Sequence, residues 1–86
     1  MILVSKEVSI KLDFSARDVY TGMHNQTVIA EINEKEVIIR SGGIRTEVYI
    51  HNATVPRLAN AICACNSHIG AGDCVDVAKV IFGVLP

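Results

Sequence analysis

Two adjacent glycines, Gly42 and Gly43, separate two β-branched stretches, Val37-Ile38-Ile39 and the run 44–50. A pair of glycines supplies the positive φ angles that a two-residue hairpin turn demands. Such a turn pairs Ser41 with Ile44, Arg40 with Arg45, Ile39 with Thr46 and Val37 with Val48. Side chains alternate between the faces of a sheet. One face therefore carries Val37, Ile39, Ile44, Val48 and Ile50. The other carries Arg40, Arg45, Glu47, Glu36 and Tyr49, with Ile38 as the exception. That register belongs to a sheet buried on one side only.

Two further strands precede this hairpin. Val8, Ile10, Leu12 and Phe14 alternate without error with Ser9, Lys11 and Asp13, and Ile2 and Val4 continue the parity towards the N-terminus. Val28, Ala30 and Ile32 repeat the pattern more weakly, and Asn33-Glu34-Lys35 makes a short connection to the next strand. The stretch 15–26 has no clear period. Ser15 to Asp18 reads as the start of a helical turn that Gly22 breaks, leaving Tyr20, Met23 and His24 displayed near a loop tip. Loops of this kind carry binding residues as well as plain crossovers.

The second half changes period. Thr54 is a good N-cap and Pro56 falls in the first turn, where its missing N–H costs nothing. Val55, Leu58, Ile62, Cys65 and Ile69 follow at steps of three and four, the apolar stripe of an amphipathic helix. His68 suits the C-terminal dipole and Gly70 a helix stop. Asp73 then opens a second helix, with Asp76 completing a variant capping box. Its stripe is Cys74, Val77, Ala78, Ile81, Phe82 and Leu85. A strand competes over 75–85 because Val and Ile dominate there, but the spacing favours a helix. Val75, Val80 and Val84 leave the polar face narrow, which points to a helix covered on most sides and hence to a homodimer or another partner.

Composition narrows the function classes. The chain has 86 residues and a mass of 9.3 kDa, enough for a single compact domain spanning 1–86. Half of its residues are hydrophobic, too many for a disordered tail. Eight Lys and Arg stand against nine Asp and Glu, which argues against a strongly basic nucleic-acid binder and an acidic DNA mimic. No membrane-length apolar run and no targeting signal stand out. Three cysteines leave one unpaired in any internal scheme, and a reducing cytoplasm is the simpler expectation.

Cys63, Cys65, His68 and Cys74 offer four potential zinc ligands within twelve residues. At about 100° per residue, however, Cys63 and Cys65 point in roughly opposite directions on a helix. The plainer reading makes them small buried hydrophobes, and no resident metal or cofactor is expected. A nucleophile–base pair of His68 with Cys65 or Cys74 lacks any accompanying oxyanion-hole or pocket signature. Arg40 and Arg45 are the more interesting pair. Like charges opposite each other on a sheet need something between them. A bound carboxylate or phosphate would serve, and so would Glu47 or Glu36 of the same face. Arg57 and Lys11 could extend a basic patch, although nothing in the sequence places them beside the hairpin.

These readings predict an α+β domain of β-β-β-β-α-α order: a four-stranded, mainly antiparallel sheet with two helices on one face. No motif names an activity. The expected function is a non-enzymatic protein-binding module, cytoplasmic and homodimeric. By class-level analogy it is akin to the small inhibitors with which phages and other mobile elements block a host enzyme or defence complex. The expected contact residues are Arg40, Arg45, Glu47 and Tyr49 on the sheet face, with Tyr20, Met23 and His24 in the loop. A small nucleic-acid-binding module using the same arginines is the first alternative, and a zinc-stabilised adaptor the second.

Overall fold

The computed structural model describes residues 10–85. The continuation of the first strand through Ile2, Val4 and Val8 lies outside the described residues. Four strands, β1 (Ile10–Ala16), β2 (Gln26–Ile32), β3 (Glu36–Ser41) and β4 (Ile44–Tyr49), form one antiparallel sheet in the order β1-β2-β3-β4. A 3₁₀ turn over Ile50–Asn52 leads into helices α1 (Val55–Cys65) and α2 (Ala71–Val84). The chain is thus an α+β fold of the predicted element order. Among the described residues no helix is long and apolar enough to cross a membrane.

The hairpin has the predicted register. Arg40 faces Arg45, Ile39 faces Thr46 and Val37 faces Val48. Gly42 and Gly43 both take positive φ, +59° and +82°. Gly42 has a second constraint, because a Cβ there would lie 3.3 Å from Asn66 Nδ2 and from the Cys65 carbonyl. The hairpin tip is therefore tucked against the C-terminal end of α1.

The buried face of the sheet carries Val28, Ala30, Ile32, Val37, Ile39 and Val48. Against it α1 places Leu58, Ile62 and Cys65, and α2 adds Cys74, Val77, Ala78 and Ile81 to the same core. Truncating a fully buried side chain such as Ile39 to alanine costs about 2–5 kcal/mol. Thr54 caps α1 as expected, its Oγ1 accepting the Arg57 N–H at 3.3 Å.

Several expectations fail for identifiable reasons. No turn starts at Ser15, because β1 runs on through Ala16 with Ser15 opposite Thr27 and Ala16 opposite Gln26. The one helical-type turn of the stretch begins at Asp18, whose carbonyl accepts the Gly22 N–H. Helix α1 stops at Cys65, before Ile69 and Gly70. Asn66 leaves the helix with φ −155°, its side-chain amide drawn to Gln26 and Ser41. Gly70, not Asp73, is the N-cap of α2, and the Asp73 carboxylate accepts the Arg17 N–H instead of closing a capping box. Ile44 is 52% exposed because it flanks the hairpin tip, and Ile50 belongs to the 3₁₀ turn. Phe82, assigned to the core stripe, is 44% exposed.

Candidate functional site

Asp18 is the hub of a polar network joining the loop at 17–25 to the rest of the molecule. It is one of three buried polar or charged residues among those described, with Ser41 and Asn66, and all three belong to this network. Asp18 Oδ1 accepts the Tyr20 N–H at 2.8 Å and the Thr21 N–H at 3.2 Å, the geometry of an Asx turn. Oδ2 accepts from Gln26 Nε2 at 3.0 Å and faces His68 Nδ1 at 3.4 Å. The Tyr20 N–H does most to hold the Asp18 carboxyl below its ordinary value. Burial opposes that, and the Thr21 N–H, Gln26 and His68 reinforce it.

The network runs on under the sheet. Asn66 Nδ2 donates to Gln26 Oε1 at 2.6 Å and to Ser41 Oγ at 3.1 Å, and Ser41 Oγ donates to the Thr27 carbonyl at 2.8 Å. Asn66 Oδ1 accepts the His68 N–H at 2.9 Å. Among the described residues every buried side-chain nitrogen and oxygen has a partner.

A carboxylate can only accept, so the bond to Asp18 places a hydrogen on His68 Nδ1. That disposition resembles the histidine–carboxylate half of a catalytic triad. Of the hydroxyls and thiol in this region, Ser67 lines a recess with His68, whereas Ser41 and Cys65 are bonded elsewhere. Ser41 Oγ donates to Thr27, and Cys65 Sγ lies 3.3 Å from both the Ile39 carbonyl and Thr46 Oγ1. What the network visibly does is fix the loop. Further backbone bonds join Asp18 N to the Met23 carbonyl, Gly22 N to the Asp18 carbonyl and Val19 N to the His68 carbonyl, each at 2.8 Å. Gly22 takes φ +74° to close the turn.

Three large apolar side chains project from this fixed loop among exposed polar ones. Val19 is 50% exposed, Tyr20 77% and Met23 63%. The Tyr20 ring meets His68 edge-on with centroids 5.1 Å apart. His24 is exposed, and its carbonyl accepts from Ser15 Oγ at 3.2 Å. The structure thus brings Tyr20, Met23 and His24 together on one loop and adds Val19, which the sequence reading passed over. It also passed over Asp18, Gln26 and Asn66. The one local signal was an aspartate four residues before a glycine, the spacing of a side-chain-capped turn.

The sheet face is organised differently. Arg40, Arg45, Glu47 and Tyr49 share the face away from the helices, as expected, but both arginines are answered internally. Arg45 Nη1 pairs with Glu47 at 2.6 Å, and Arg40 Nη2 pairs with Glu31 at 3.4 Å. Glu36, the other carboxylate considered for this role, lies opposite Tyr49 instead. Lys11, on β1, lies opposite Glu31 and away from the hairpin, while Arg57, on α1, shares a recess with β4 on the helical side instead of joining Arg40 and Arg45 on the open face.

The cysteine cluster does not converge. Cys63 and Cys74 form a disulfide that ties α1 to α2, with Cα atoms 6.1 Å apart. Cys65 is buried against the sheet, and His68 turns to Asp18. Two of the four proposed zinc ligands are thereby consumed, and so is the Cys74 thiol of the proposed nucleophile–base pair. The odd cysteine count therefore does not count against a bridge, since the residue left over is the one in the core. Among the described residues no group of three or more His, Cys, Asp or Glu is placed to hold a metal ion.

A recess of about 320 Å³ lies between β4 and α1. It is lined by Thr46, Glu47, Val48, Tyr49, Asn52, Arg57, Asn60 and Ala61. The Tyr49 ring stacks on His51 nearby, with centroids 5.9 Å apart. Comparison with protein-family models, curated proteins and solved structures finds no match.

Proposed function

We propose that this chain is a non-enzymatic protein-binding module that covers a site on another protein, with Val19, Tyr20 and Met23 as its anchoring side chains. One observation carries the reading: a buried, fully bonded aspartate holds a loop that displays three large apolar side chains outwards. Isolated exposed apolar residues are ordinary on any surface. Three on one immobilised turn form an anchor whose ordering cost has been met before the partner arrives. Covering a partner's site would make the chain an inhibitor of the kind expected from the class analogy. The ion-paired sheet face supports the same choice over nucleic acid, because its arginines already have carboxylates. Val80, Phe82 and Val84, all exposed on α2, favour self-association as a second contact, which sedimentation velocity reads directly as a mass twice 9.3 kDa.

The test is site-specific photo-crosslinking in the native cell, with benzoylphenylalanine replacing Tyr20 and, as a control, Asp13 on the open sheet face. A discrete adduct from position 20 that is missing from position 13 and lost in Met23→Ala supports the reading. Equal adducts from both positions, or none from position 20 in a folded protein, overturn it.

A further inference from the structure

We propose that the recess between the outer edge of β4 and helix α1 takes an extended peptide as a fifth strand, with Arg57 holding an acidic side chain of that peptide. The site uses none of the residues of the 17–25 loop, so either proposal can fail alone.

The argument begins with the phase of the hydrogen-bond ladder. Ile50 N donates to the Lys35 carbonyl at 2.8 Å, just beyond the Glu36–Tyr49 pair. Hydrogen-bonded and non-bonded pairs alternate along an antiparallel ladder. Val48, Thr46 and Ile44 therefore spend their backbone groups on β3. Arg45, Glu47 and Tyr49 turn theirs outwards, and β4 is the last strand of the sheet. Among the described residues no donor or acceptor meets those of Arg45 and Glu47 or the Tyr49 N–H, while the Tyr49 carbonyl opens the 3₁₀ turn. Unpaired groups in a row at a sheet edge are a template for another strand.

The recess supplies the rest of what such a strand needs. Four consecutive residues of β4, Thr46, Glu47, Val48 and Tyr49, form one wall, and Arg57 and Asn60 of α1 form the other. A strand lying between an edge and a helix gains affinity from its main chain and specificity from alternate side chains. Residues three apart on a helix share a face, so Arg57 and Asn60 meet the same side of the incoming chain. Arg57 is exposed and has no ion-pair partner among the described residues, whereas the carboxylate of Glu47 is already taken up by Arg45. A guanidinium in that position selects a carboxylate. A second copy of this chain is the weaker occupant. The twofold register that engages Arg45, Glu47 and Tyr49 together places Glu47 opposite Glu47, a like-charge pair.

An array of random capped octapeptides probed with the full chain tests this, followed by amide hydrogen exchange with the best binder. The expected result is enrichment of Asp or Glu at one position and slowed exchange of the Arg45, Glu47 and Tyr49 amides. Arg57→Gln should weaken binding about ten-fold, and Tyr20→Ala should leave it unchanged. Absence of any enriched peptide overturns the proposal, as does enrichment without an acidic position or insensitivity to Arg57→Gln. Protection of the same amides that rises with protein concentration in the absence of peptide also overturns it, and assigns the edge to a second copy.

Discussion

On the open sheet face Arg40 and Arg45 find Glu31 and Glu47 at 3.4 and 2.6 Å, whereas on the 17–25 loop Tyr20 and Met23 stay largely exposed among the described residues. The two regions reverse the usual signs of a binding surface. The sheet face is rich in charge but already neutralised by its own side chains. The loop displays Val19, Tyr20 and Met23 among exposed Arg17, Thr21, His24 and Asn25, and turns the Asp18 carboxylate inwards, where it joins Gln26, Asn66 and Ser41. Charge that looks available in a sequence can be spent within the fold. An irregular loop can in turn be the most firmly specified piece of backbone outside the core.

The comparison can be broken in four places. The largest effect is expected from Asn66→Ala, which removes the bonds to Gln26, Ser41 and the His68 N–H and leaves buried groups unpaired. It should cost about 2–3 kcal/mol in urea denaturation. The loss should appear as faster amide exchange in the 17–25 loop before it appears in the sheet. A cost below 1 kcal/mol would mean that water replaces the network freely.

The next effect is a dependence on acid. The Asp18 carboxyl is held below its ordinary value of about 3.9, so its contribution is complete above that pH and is lost as the pH falls through the lower folded value. Urea midpoints of the wild type and Asp18→Asn should therefore converge on acidification from about pH 6 to about pH 2. A difference that is constant with pH would show that the carboxylate charge is not what fixes the loop.

The sheet face should respond far less. Arg45→Gln and Arg40→Gln each break an exposed ion pair, and a double-mutant cycle of Arg45 with Glu47 should return about 0.2–1 kcal/mol, shrinking with salt. A larger coupling would mark that face as more rigid than its exposure implies. Tyr20→Ala should be the quietest of all, within about 0.5 kcal/mol of wild-type stability. A clear destabilisation would show that its edge contact with His68 serves the fold and not a partner.

The sequence makes some of this arrangement legible and hides the rest for physical reasons. The hairpin register follows from two glycines and parity, and the start of α1 follows from Thr54 and Pro56, because those signals act within a few residues. The end of α1 does not follow, since Asn66 is pulled out of the helix by Gln26 and Ser41, 40 and 25 residues away in sequence. The pairing of Arg45 is legible because Glu47 shares its strand. That of Arg40 is missed because Glu31 lies on β2. Among the contact candidates, the exposed loop residues can be named from the sequence. The buried Asp18 beneath them gains its meaning from His68, 50 residues later.

The Cys63–Cys74 bridge has a consequence for connectivity. Residues 63–74 form a covalent ring, so α1 and α2 are joined by two routes: the backbone through Asn66 and His68, and the sulfur bond. A protease that cuts once within 66–70 converts the linear chain into two polypeptides without dividing the molecule. Such a nicked protein should run as one species on a non-reducing gel and as two after reduction.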